Sequence, residues 1–180
     1  MERAGQLIGD TLIFIFLFAV VTGAFLAYHF TPGDHTIVYD GSYAPLQGVP
    51  MSEAYSSTLR ISFDVPGGLL LRQVHLQSWP VLAFGTFVWL LVARHRYALA
   101  AFGLAMAATL SGYATVDDLL SGTLPGEVST IWWYGVHLVV ALALIVVLVI
   151  SSRREAARQP RTVPFIALAF AIALLAVYWL

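Results

Sequence analysis

Two histidines and one arginine stand where ionisable groups are costly. His75 and His137 each lie inside a long apolar run, and Arg72 precedes His75 by one helical turn. Such a residue within a membrane-type segment marks a functional site by default. A single buried imidazole is ordinarily a neutral, hydrogen-bonded core group. Two at matched depth on different runs point instead to a shared ligand. His75 falls about seven residues into its run and His137 about eight or nine into its own, so both rings lie roughly 10–13 Å below their helix ends.

Two opposed imidazoles supply two axial nitrogens, which suits a haem iron whose other ligands come from the porphyrin. A zinc site would need further protein ligands, and the sequence offers none at that depth. Arg72, at i−3 from His75, shares its helical face and lies nearer the surface, where a haem propionate would find a bidentate cation. Snorkelling to lipid headgroups is the competing account of Arg72. Gly23 and Gly112 fall at the same depth on two other runs and would let a flat macrocycle approach. The remaining histidines read differently. His35 sits in a polar loop, His95 lies between Arg94 and Arg96 as a headgroup contact, and His29 ends its run as an interfacial residue. Trp132, Trp133 and Tyr134 read as an aromatic interfacial belt.

Of the 180 residues, 59% are hydrophobic and 11% charged, too little charge for a soluble surface, so a membrane class follows. Cysteine is absent, which excludes disulfides, iron–sulfur clusters, thiolate zinc sites and covalent haem attachment within this sequence. Five runs are long and apolar enough to cross a bilayer as helices: residues 11–30, 68–93, 97–116, 128–152 and 164–180. Their apolar residues continue without period-two alternation, which argues against barrel strands. The expected fold class is all-α integral membrane, with five transmembrane helices. Residues 1–152 would form a four-helix haem-binding bundle, and residues 153–180 a cytoplasmic loop and the fifth span. The first run resembles a signal peptide but is too long for one, and it is expected to remain as the first span.

Arginines set the orientation. Arg3, Arg94, Arg96, Arg153, Arg154, Arg158 and Arg161 fall on one side if the spans alternate, and that side is cytoplasmic, with the N-terminus inside. The connections at 31–67 and 117–127 then face outward. They carry Asp34, Asp40, Glu53, Asp64, Asp117, Asp118 and Glu127 against Arg60 alone. The first half of 31–67 is rich in turn formers and should be irregular. Residues 51–65 read as an amphipathic surface helix opened by Ser52, with Ala54, Tyr55, Leu59, Ile61 and Phe63 turned to the interface. So long a connection suggests a docking surface or a lid.

The order Thr22-Gly23, Leu26-Ala27-Tyr28-His29-Phe30, Ala54-Tyr55-Ser56-Ser57, Asp64-Val65, Gly68-Leu69-Leu70-Leu71-Arg72, His75 and Ser111-Gly112-Tyr113 resembles the N-terminal haem-binding domain of cytochrome b and b6 from quinol–cytochrome c reductase-type complexes. The resemblance covers the first four spans. It implies that His75 and His137 ligate the haem nearer the outer face, that Arg72 meets its propionate, and that Gly23 and Gly112 pack against the ring. It also brings out departures. The family places a second histidine fourteen residues after each first one, for a second haem about 21 Å along the axis. Here those positions are Trp89 and Ser151. Gly9 keeps the inner glycine spacing on the first span, whereas Ala98 replaces it on the third. A mono-haem variant is therefore expected, with Trp89 filling the inner space. The family's Pro-Glu-Trp-Tyr motif, part of its C-terminal portion, does not occur.

The expected role is a membrane electron-transfer subunit of the plasma or inner membrane. It would bind one haem b, with quinone as a further small-molecule partner. It would relay electrons between the quinone pool and an extracytoplasmic Rieske, cytochrome c or dehydrogenase-type subunit. An acidic outer face would favour a basic partner. Membrane lipid is a partner, nucleic acid is not, and no residue is assigned a catalytic role. The alternatives are a haem-less structural anchor and a proton or substrate relay through Arg72, His75 and His137.

Overall fold

The computed structural model describes residues 2–93, 96–116 and 128–179. Arg94, His95, Asp117, Asp118 and Glu127 lie outside them. The elements follow in the order α1 (Glu2–His29), β1 (Thr36–Val38), a 3-10 turn (Ala44–Leu46), β2 (Pro50–Ser52), α2 (Glu53–Phe63), α3 (Gly68–Ala93), α4 (Arg96–Val116), α5 (Thr130–Arg158) and α6 (Val163–Tyr178). Among the described residues, α1, α3, α4 and α5 are long and apolar enough to cross a membrane. At 16 residues, α6 is shorter. The all-helical integral membrane class expected from the sequence holds.

The chain forms two compact units. The first comprises Met1–Val20, Leu76–Ala107 and Val140–Leu180. Its core gathers Leu12, Ile15 and Phe16 from α1, Leu82 and Trp89 from α3, Leu144 and Leu148 from α5, and Ala173 from α6. Ala98, Ala101 and Ala105 recur along one flank of α4 and are fully or almost fully buried. Small side chains let helices approach closely where no aqueous driving force brings them together.

Polar side chains explain why α1 starts nine residues before its apolar run. Gln6 and Asp10 are buried, and each finds a partner near the α5–α6 connection. Gln6 donates to the Gln159 carbonyl at 2.8 Å, and Arg3 reaches the Pro160 carbonyl at 3.3 Å. Arg161 clamps Asp10 through Nε at 2.5 Å and Nη2 at 2.6 Å, while Nη2 also donates to the Ser152 carbonyl and hydroxyl. The first turn of α1 thus meets the α5–α6 connection, as alternating spans require. At its other end, α5 runs six residues past the expected limit of 152. Arg153, Arg154 and Arg158 prolong it, and cations near a helix C-terminus are favoured by its dipole.

The second unit comprises Val21–His75 and Ala108–Val139. Its long connection is less irregular than expected. β1 pairs antiparallel with β2, Thr36 opposite Ser52, and Tyr39 is buried at the end of β1. The α2 N-terminus is capped on three donors. Glu53 N–H donates to the His35 carbonyl at 2.9 Å, Ala54 N–H to the Gly33 carbonyl at 3.0 Å, and Tyr55 N–H to Ser52 Oγ at 3.2 Å. Ser52 therefore opens the helix as expected. The facing of α2 differs from expectation: Ala54, Leu59 and Ile61 are buried in the protein, and only Phe63 is markedly exposed. Ser57, Thr58 and Ser62 are buried too, and each donates back to a carbonyl of the preceding turn.

The corner from α2 into α3 requires glycine twice. Gly67 has φ +77°, a left-handed conformation. Gly68 lies so close to the Ile61 carbonyl that a Cβ would overlap its oxygen. Gly68→Ala is expected to cost about 2–3 kcal/mol, at the upper end of overpacking penalties, and to displace the start of α3. Thermal melting in detergent reads the cost. In the first unit, Arg161→Met strands a buried carboxylate and should destabilise by about 3 kcal/mol, most of it recovered in Asp10→Leu/Arg161→Met. The same melting assay, run on both variants, checks this.

Candidate functional site

His75, His137, Arg72, Gly23 and Gly112 all lie in the second unit. His75 on α3 and His137 on α5 face one another, their ring centroids 6.2 Å apart and their planes inclined at 71°. Both rings are half-buried. Each has its Nδ1 engaged: Thr22 Oγ1 lies 3.2 Å from that of His75, and the Ala108 carbonyl 2.8 Å from that of His137. A carbonyl only accepts, so His137 Nδ1 carries the proton and Nε2 presents a lone pair. Fixing one nitrogen in this way orients the other toward a ligand.

The two expected glycines stand beside these rings. A Cβ on Gly23 would lie 2.8 Å from His75 Cε1, and one on Gly112 would lie 3.1 Å from both Cε1 and Nδ1 of His137. Any side chain at Gly23 would displace the imidazole. At Gly112 the ring would have to give by a few tenths of an ångström. The glycines therefore leave room for the imidazoles themselves.

Arg72 stands one turn before His75. Its Nη1 reaches Ser62 Oγ at 3.5 Å, the long limit of a hydrogen bond. Among the described residues it forms no ion pair. It borders a cavity of about 340 Å³ together with Tyr43, Tyr55, Ser62, Phe63 and Leu69. A half-buried guanidinium beside such a cavity is suited to an anionic group. His29 takes no part, since its ring contacts are with Phe25 and Tyr28 of its own helix. His35 is exposed, as expected.

The acidic loop is used internally. Asp40 pairs with Arg60, Asp64 accepts from the Ser42 N–H and hydroxyl, and Asp34 accepts from the Thr130 N–H at 2.9 Å. Hydrogen bonds from neutral donors order Asp34 and Asp64 without cancelling their charge, and all three carboxylates are exposed. Asp34 has a more particular role: it caps the first residue of α5, the helix that carries His137. Partial burial alone would raise its pKa. Hydrogen bonds from Ser129 and Thr130 outweigh that and hold the carboxyl below its ordinary 3.8. Thr22, Ala108 and Asp34 had no assigned role in the sequence, because each acts on a residue remote in the chain.

A helical integral membrane protein with an opposed imidazole pair is the class that spans and site define. No protein-family model matches the chain. Among curated proteins it is similar to the cytochrome bc1 complex cytochrome b subunit of Streptomyces coelicolor, 42% identical over 131 residues, covering 65% of this chain and 24% of the relative. The corresponding subunit of Mycobacterium leprae is 38% identical over 130 residues (64% and 23%), and that of Corynebacterium diphtheriae 35% over 130 residues (64% and 24%). The likeness to cytochrome b subunits runs over about two thirds of the chain, at 35–42% identity. The chain spans about a quarter of the length of the curated relatives it matches.

Asp34→Asn should weaken the α5 cap by about 0.5–1 kcal/mol at neutral pH, the scale for an exposed charge at a helix N-terminus. Because the folded pKa is lowered, the stabilisation is complete well above 3.8 and is lost as pH falls through the lower folded value. Melting temperatures of wild type and variant should therefore converge in acid.

Proposed function

We propose that the chain is a membrane electron-transfer subunit that holds one haem b between His75 and His137. The observation that carries the reading is the spacing of the rings. With a metal–imidazole bond of about 2 Å, and about 1.1 Å more from nitrogen to ring centre, two rings on one iron have centroids about 6.2 Å apart. The separation in the structure is 6.2 Å. The occupied Nδ1 atoms add to this, since each leaves Nε2 as the coordinating nitrogen. Arg72 is the cation for a propionate, and Gly23 and Gly112 keep the ring edges clear. Bound haem supplies one-electron chemistry at the iron. The protein's part is to seat it, orient the imidazoles and neutralise its carboxylates.

The reading of a single haem is supported within the first unit. Trp89 is 1% exposed, and a Cβ on Gly9 would lie 3.2 Å from its Cζ2. The indole occupies the space beside that glycine. Ser151 and Ala98 are likewise buried, at 2% and 0% exposure. Neither indole nor hydroxyl replaces an axial imidazole. A haem confined to one half of the membrane suits exchange between the quinone pool and a redox subunit on the extracytoplasmic face. The relatives named above are subunits of cytochrome bc1 complexes, which supports assembly into a multi-subunit redox complex.

Purified chain is expected to carry one haem per polypeptide by pyridine haemochrome assay. His75→Ala or His137→Ala should each abolish the dithionite-reducible Soret band while leaving helical circular dichroism unchanged. Two haems per chain would overturn the single-site reading. A wild-type chain without a Soret band would favour the structural anchor.

A further inference from the structure

We propose that Thr22 is a positioning residue that lowers the reduction potential of the haem held by His75 and His137. This rests on the bis-imidazole reading above and goes beyond it, by naming the side chain that tunes the site.

The two imidazoles are held differently. His137 has the Ala108 carbonyl, a backbone acceptor that no side-chain change removes. His75 has the Thr22 hydroxyl, 3.2 Å from Nδ1. With Nε2 turned to iron, Nδ1 must carry the ring proton and donate it to Oγ1. Thr22 is 5% exposed, so bulk water does not readily replace its hydroxyl. The next residue, Gly23, lies against the edge of the same ring. One dipeptide of α1 therefore sets both the rotation of the imidazole and the partner of its distal nitrogen.

The chemical consequence has a definite sign. An acceptor on Nδ1–H draws the proton outward and makes the imidazole a stronger electron donor. A stronger donor favours the ferric over the ferrous state and lowers the potential. The proton stays on His75 throughout, and only one electron is exchanged. Removing the hydroxyl should therefore raise the potential.

The test is a dye-mediated redox titration of the purified chain, carried out on Thr22→Val and Thr22→Ser beside wild type. T22S keeps the acceptor and should titrate with wild type. T22V keeps the bulk but loses the acceptor, and should shift the ferric/ferrous equilibrium about tenfold toward ferrous, roughly 59 mV upward for a one-electron couple. An unchanged potential in haem-replete T22V, or equal shifts in T22V and T22S, overturns the role of Thr22. Loss of haem from T22V with retention in T22S supports it, since the hydroxyl then holds the ring outright. Loss from both overturns it. The underlying reading fails separately, if wild type holds no haem or His75→Ala retains it.

Discussion

A polar atom taken into an apolar layer must bring its own partner, and this chain is built around that requirement. Each imidazole has one nitrogen satisfied from a neighbouring helix, Thr22 for His75 and Ala108 for His137. Asp10 enters α1 only in the grip of Arg161. The hydroxyls of Ser57, Thr58 and Ser62 on α2 turn back to its own carbonyls. What each group keeps after that settlement decides what it can do. His137 keeps a lone pair at Nε2, and Arg72 keeps most of its guanidinium.

Matched depth follows from how two helices begin. His75 is the seventh residue after Gly68, where α3 starts, and His137 the seventh after Thr130, where α5 starts. Seven residues are almost two full turns, so each imidazole lies about 10.5 Å along the axis and on nearly the same flank as its helix's first residue. Both first residues are fixed from the long connection. Gly68 rests on the Ile61 carbonyl, and Thr130 is held by Asp34. The connection between α1 and α3 thus acts as a jig for the two rings.

The spans were legible because an uninterrupted apolar run has few other meanings, and α3 matches its expected limits at both ends. The start of α1 was not, because Gln6 and Asp10 look like the end of a helix until their partners some 150 residues later are seen. Ser52 was legible as a cap, since capping is local. The facing of α2 was not, because an apolar stripe does not say whether protein or lipid covers it. The acids were legible as surface charge, and Asp34, Asp40 and Asp64 are all exposed; their hydrogen-bond and ion-pair partners, remote in the chain, were not. The histidine pair was legible by depth and by family likeness. The hydrogen bonds that orient it depend on helix rotations that no local pattern records.

The corner at Gly67–Gly68 carries a wider implication. Rotation about an α-helix advances about 100° per residue. Inserting or deleting one residue between that corner and His75 would swing the imidazole a quarter-turn or more away from His137, while leaving hydropathy unchanged. Chain length in this short stretch is therefore constrained by azimuth. Helix α2, though it carries neither imidazole, is the reference from which the aim of His75 is measured.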